Sequence, residues 1–147
     1  MPGIRPATMQ DVEAVARLNR AVRTACLPYL PDLHTQAEDL WFFRERVFPE
    51  CTVWVAGEAA LDGFCAWRPG WVDHLYIRPE CHGQGLGTAL LARPMAEHSP
   101  LRLYAFQRNT QALRFYAARG FRVIEQTDGS RNEEHEPDAL LEWVRPL

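Results

Sequence analysis

Apolar residues recur at two different periods along this chain, and the change of period divides it. Val12, Val15, Ala16 and Val22 return every three or four positions, which gives a helix one buried face. Thr8 stands before that run with Asp11 three residues on, close to a capping box. The helix is expected to run to about Cys26, short of Pro28 and Pro31. Thr35 and Glu38 form a second capping pair. The helix they open carries Leu40, Trp41, Phe43 and Val47, and Pro49 is expected to stop it.

From Thr52 the period shortens to two. Thr52 to Ala56 is β-branched and aromatic, as strands prefer. A turn near Gly57 leads to a second run, Ala60 to Trp67, and Pro69-Gly70 turns the chain into a third, Trp71 to Ile77. Three short strands on tight turns make an antiparallel meander. A helix from about Gly85 follows, in which Pro94 predicts a kink or an end at Arg93. Leu101 to Phe106 is strand-like, Thr110 to Arg119 helical with Gly120 as its stop, and Phe121 to Gln126 a strand. Thr127 to Asp138 is a polar loop before a last strand, Ala139 to Val144. With a short first strand at Ile4 to Ala7, the order β-α-α-β-β-β-α-β-α-β-β predicts an α/β chain: a mixed sheet with helices packed on it.

The chemistry concentrates where the third strand becomes a helix. Gly83, Gly85 and Gly87 alternate through that turn. Such a turn aims several backbone N–H groups at one point, and the helix behind adds partial positive charge, so a phosphate or pyrophosphate is the natural guest. A dinucleotide-binding fold would want GxGxxG after a first parallel strand and an acid about 20 residues on, and this sequence has neither that spacing nor that place. A triphosphate-binding loop would want Gly-Lys-Ser/Thr, and the turn has no lysine. A tight turn that binds nothing is the bland alternative.

Composition removes other classes. The 147 residues are 47% hydrophobic and 24% charged, which suits one domain with one well-filled core. The net charge of −3 argues against a broad grip on nucleic acid. There is no apolar run of about 18 residues and no apolar leader at the N-terminus, so a cytoplasmic protein is expected, with no membrane partner. Cys26, Cys51, Cys65 and Cys81 are widely spaced, read as reduced packing thiols, and suggest no metal site.

A second segment, LRLYAFQRNTQALRFYAARGFRVI from Leu101 to Ile124, sets Asn109 at a helix start, Ala112, Phe115 and Tyr116 on one face, and Gly120-Phe121 at its close. Taken with IRPAT…D at the N-terminus, the meander and LYIRPECHGQGLGTALL, the chain resembles the GNAT superfamily of acyl-CoA-dependent N-acetyltransferases over nearly its whole length. The resemblance implies a single domain over 1–147, with a mostly antiparallel twisted sheet of about seven strands. The sheet should part between its fourth and fifth strands and be flanked by about four helices. It implies acetyl-CoA as donor, no metal, and transfer to a primary amine of a small molecule, peptide or protein by direct attack in a ternary complex. A non-catalytic acyl-CoA-binding sensor or accessory module is the alternative. A homodimer through edge strands or helices is left open. One departure stands out: the family's turn usually opens with Gln or Arg, and here that position is His82.

By resemblance, His82, Gly83, Gln84, Gly85, Leu86, Gly87 and Thr88 hold the pyrophosphate. Leu75, Tyr76 and Ile77 line the pantetheine arm, with the Ile77 N–H as oxyanion donor, and Asn109 bonds pantetheine or water. Tyr116 is the proton donor to the departing thiolate; an unperturbed tyrosine is protonated below about pH 10. For the base, strict alternation puts Asp73 on the face of Leu75 and Ile77, toward the cleft, and His74 behind the sheet with Val72 and Tyr76. Asp73 is therefore favoured, against the bland reading of a structural salt bridge. Glu133 and Glu134, in the acidic loop, and Trp41, in the aromatic stretch with Phe42 and Phe43, are candidates for the acceptor site; solvated surface and core are the bland readings. Arg108, Arg114 and Arg119 all stand as candidates for the 3′-phosphate. Cys81 beside Glu80 and His82 makes no activated thiol, so no acyl-enzyme is expected.

Overall fold

A computed structural model describes residues 3–147. One sheet of seven strands runs through it in the order β1-β2-β3-β4-β5-β7-β6. The strands are β1 (Ile4–Pro6), β2 (Thr52–Ala56), β3 (Gly63–Arg68), β4 (Trp71–Ile77), β5 (Leu101–Phe106), β6 (Arg122–Gln126) and β7 (Asp138–Trp143). Among the described residues four helical segments flank it: α1 (Val12–Cys26), α2 (starting with Gln36–Phe42), α3 (Leu86–Glu97) and α4 (Thr110–Ala118). None of them is long and apolar enough to cross a membrane.

Both capping pairs form. Asp11 Oδ2 accepts from the Thr8 N–H at 2.8 Å, and a short 3₁₀ turn, Met9–Asp11, leads into α1. At α2, Thr35 Oγ1 accepts from the Glu38 N–H at 3.1 Å while Glu38 Oε1 accepts from the Thr35 N–H at 2.8 Å. Neither proline ends its helix. The second helix does not stop at Pro49: it widens to a π turn over Phe43–Val47 and resumes over Phe48–Glu50. There the Phe48 N–H bonds the Phe43 carbonyl, five residues back, which loosens the turn just ahead of the ring of Pro49. Likewise α3 does not end at Arg93 but runs through Pro94 to Glu97, where burial of the Pro94 ring in the core outweighs the lost N–H bond. Three strand starts also move, among them β6, which begins at Arg122 rather than Phe121. The second strand begins at Gly63 rather than Ala60, because the Asp62 N–H closes a turn onto the Ala56 carbonyl at 2.8 Å. The last begins at Asp138.

Neighbouring residues of β3 point to opposite faces, and each face has its own core. Phe64 and Ala66 pack with Val15, Leu18 and Val22 of α1 and with Phe43 and Val47 of α2. Cys65 and Trp67 pack with Leu86, Leu90 and Leu91 of α3, Tyr116 of α4, and Leu103 and Leu141 of β5 and β7. Strand β4 lies between two different neighbours. It pairs with β3 antiparallel along its whole length, from Arg68↔Trp71 to Gly63↔Ile77. With β5 it pairs in parallel at one register position only, Trp71↔Arg102. Beyond that point the two strands part, as the resemblance implied.

Candidate functional site

The glycine turn closes the open end of that gap. Gly83 and Gly85 have φ of +78° and +85°, the left-handed region that glycine enters without strain. Gly87 answers a different need: a Cβ there would lie 3.1 Å from the Phe115 ring. The first helical bond of α3 runs from the Ala89 N–H to the Gly85 carbonyl at 3.0 Å, so the N–H groups of Leu86, Gly87 and Thr88 have no helical acceptor. This is the electropositive end of a helix of twelve residues.

The side chain of His82 braces the turn. Its Nε2 lies 2.8 Å from the Ile77 carbonyl and its Nδ1 3.2 Å from Gln111 Nε2 on α4. A carbonyl only accepts, so Nε2 carries the hydrogen and Nδ1 accepts from the amide of Gln111. Arg119 also sits at the turn: its guanidinium donates to Thr88 Oγ1 at 3.0 Å and stacks 3.8 Å over the Phe115 ring. Arg108 points elsewhere, over the Tyr29 ring and toward Glu136. The Asn109 side chain caps α4 by accepting from the Ala112 N–H at 3.2 Å.

The parting strands present unpaired backbone. The Arg78 N–H donates to the Asp62 carbonyl at 2.8 Å, on the β3 side. In an antiparallel ladder successive N–H groups alternate, so those of Ile77 and Leu75 point the other way, into the gap. Leu75 and Ile77 pack toward α3, whereas Tyr76 packs toward α1 and α2. Tyr116 is buried on the α3 side, its ring edge-on to Phe115 at 5.3 Å and Phe121 at 5.4 Å. Burial pushes its phenol well above the ordinary tyrosine range, so it is protonated at every working pH. Burial also raises the Cys81 thiol, which is the wrong direction for a nucleophile.

Alternation along β4 breaks at Asp73. The register shifts between Ala66 and Trp67: Ala66 pairs with His74 and Trp67 with Val72, leaving Asp73 as a bulge. Val72 therefore shares the core of Leu75 and Ile77 instead of the face of Tyr76. The Asp73 carboxylate is held by Arg68 at both oxygens, Nε–Oδ2 2.6 Å and Nη2–Oδ1 2.9 Å, and accepts weakly from the Cys51 thiol at 3.5 Å. That is the salt bridge of the bland reading.

His74 lies instead at the edge of a large cavity, and it is the residue that sequence reasoning set aside. The cavity measures about 940 Å³ and is bounded by α1, the segment joining it to α2, the aromatic part of α2, His74, and Glu133 with Glu134. Trp41 and Phe42 are 57% and 44% exposed at its wall, while Phe43 is buried beneath. The loop acids are not free surface charges. Glu134 pairs with Arg23 of α1 at 3.1 Å, and Glu133 with His34 at 2.6 Å. Arg20 is held by Asp39 at 2.6 Å and Asp32 at 3.2 Å. Arg20 and Arg23 also escaped the sequence reading; their positions on the polar side of α1, three apart, were the available signal.

Comparison with known proteins agrees with this fold. Residues 49–123 match a family model described as an acetyltransferase (GNAT) domain. A peptidyl-lysine N-acetyltransferase of Salmonella typhimurium, YjaB, is 32% identical over 100 residues, 67% of this chain and 68% of that protein. Another of Escherichia coli, YiaC, is 24% identical over 119 residues, 80% of this chain and 72% of that protein. The PaiA N-acetyltransferase of Thermoplasma acidophilum, solved in complex with coenzyme A, superposes with a TM-score of 0.74 at 21% identity, covering 99% of each chain.

Proposed function

The chain belongs to the GNAT acetyltransferase family, and from that premise we propose that it moves the acetyl group of acetyl-CoA to a primary amine by direct attack in a ternary complex. The acceptor is a small molecule, peptide or protein. The peptidyl-lysine activity named for two relatives favours a lysine side chain. One observation carries the reading: β4 and β5 meet at a single register pair and then part, with the glycine turn at the open end. Both cores are built on strands of one sheet, which supports a single domain over residues 1–147.

In this reading the N–H groups of residues 83–88 bind the pyrophosphate, with His82 bracing the turn rather than touching the ligand. The pantetheine arm pairs with the freed edge of β4 as an added strand would. The N–H of Ile77 faces the thioester oxygen, a donor of the kind that contributes about two to three powers of ten in rate. The amine lone pair attacks the carbonyl carbon, the C–S bond breaks, and Tyr116 gives its proton to the leaving thiolate. Asn109 orders the α4 entrance near the pantetheine. Arg119, already beside Thr88, is the arginine best placed for the phosphates. Trp41, Glu133 and Glu134 shape an acceptor cavity suited to a cation on an apolar stem. Asp73, tied to Arg68 and absent from the cavity wall, is poorly placed to take the amine's proton.

The test is calorimetry with coenzyme A followed by a thiol-release screen of lysine peptides, polyamines, amino acids and aminoglycosides. Heat of binding together with thiol release from one amine class supports the reading. No heat removes it, and heat without release from any amine leaves the sensor in its place.

A further inference from the structure

We propose that His74, at the wall of the acceptor cavity, takes the proton released by the amine as it is acetylated. This rests on the acetyl-transfer reading above and names the base it leaves open. Three observations carry it. His74 is the one β4 residue lining the cavity, and β4 is also the strand that borders the gap. Its ring is clamped by aromatic neighbours, with centroids of Phe43 at 5.4 Å, Phe64 at 6.1 Å, Tyr76 at 6.4 Å and Phe42 at 6.5 Å. Burial and the charges of Asp73 and Arg23 act on its imidazole, and no hydrogen bond from a described residue is among those influences. A half-buried imidazole that packs on four rings and spends neither nitrogen on the protein keeps a lone pair for a guest in the cavity.

Charge around it keeps that lone pair free. Burial brings the imidazole down to about 4; Asp73 beside it on the strand opposes this and Arg23 of α1 adds to it. Tyr76 on β4 packs against the ring, and Glu133 and Glu134 reach the cavity from the loop. His74 is therefore neutral at neutral pH. After the amine attacks, the nitrogen of the tetrahedral adduct is cationic and far more acidic than the free ammonium. One proton passes from that nitrogen to the imidazole and one from Tyr116 to the sulfur. The products are the amide and free coenzyme A, and solvent in the cavity restores both side chains. An imidazole held weakly basic returns its proton readily, which suits repeated turnover.

The experiment uses the full chain, acetyl-CoA and a lysine-bearing test peptide. His74→Phe keeps the aromatic clamp and removes the base: kcat should fall about 100-fold or more, with KM for acetyl-CoA held within about twofold. His74→Gly opens a slot, and added imidazole should restore at least tenfold, roughly, in its unprotonated form. Turnover of His74→Phe within about threefold of the parent, or no rescue of a His74→Gly protein that still binds coenzyme A, overturns the assignment. If either substitution unfolds the protein, ring-nitrogen NMR of the parent decides. A His74 signal that moves when coenzyme A and peptide saturate the protein supports contact with the amine, and one that stays fixed overturns it. Should the parent itself give no heat with coenzyme A, the acetyl-transfer reading fails instead, and the two failures are distinct.

Discussion

Tyr116 is buried and His74 half-buried near the parting strands, and loss of solvent acts on them in opposite chemical senses. It raises the phenol and so keeps its proton in place; it lowers the imidazole and so keeps it without one. An acid and a base at one pH need such a separation. Tyr116→Phe, which keeps the ring packed on Phe115 and Phe121, should lower kcat about 100-fold. Steady-state kinetics beside calorimetry checks it, since coenzyme A affinity should stay within about twofold. Tyr116 and Ile77 became candidates through the family resemblance carried by the glycine turn and the segment from Asn109 to Phe121. The direction of a side chain was less readable. Period-two reasoning on β4 assumed an unbroken pleat, and one extra residue at Asp73 changed the relation between everything before it and everything after it. A bulge is fixed by the partner strand, so β4 alone carries no sign of it.

At the scale of elements, periodicity and caps located every strand and every helix within a few residues. Thr35 illustrates why: its reciprocal bonds with Glu38 depend only on neighbours in sequence. Thr35→Ala should cost about 1 kcal/mol, visible as a lower midpoint in thermal or urea unfolding. The helix ends expected at the two prolines did not occur, for the converse reason. Pro49 and Pro94 stay within helical runs because of what lies against them, a widened turn before one and core packing around the other. Propensity is a local quantity and burial is not. The second helix gains from this. Its π turn carries Phe43 inward beneath Phe42 and Trp41, so the stretch is core at Phe43 and cavity wall at Trp41 and Phe42.

At the scale of the molecule, the two faces of the sheet divide the work, an arrangement no single strand pattern reveals. Glycine turn, α3 and α4 build one side; α1, α2 and the acidic loop build the other. That loop is pinned across the cavity by Glu134–Arg23 and Glu133–His34. Glu133 raises the His34 imidazole above its ordinary value. The pinning through His34 is thus fully present below the unfolded value, about pH 6.5, and is lost as pH rises through the raised folded value. Thermal midpoints of the parent and His34→Gln across pH should differ most on the acidic side and converge on the alkaline side. An equal difference at all pH values would show that the ion pair adds nothing. The point contact between β4 and β5 has its own consequence. An empty protein leaves two amides, at Leu75 and Ile77, facing solvent in the middle of an otherwise stitched sheet. Deuterium should enter them quickly, and coenzyme A should slow that entry while leaving His74 and Tyr76, already bonded to β3, unchanged. The cosubstrate would then act on the fold as a removable eighth strand, and the loaded enzyme would outlast the empty one on heating.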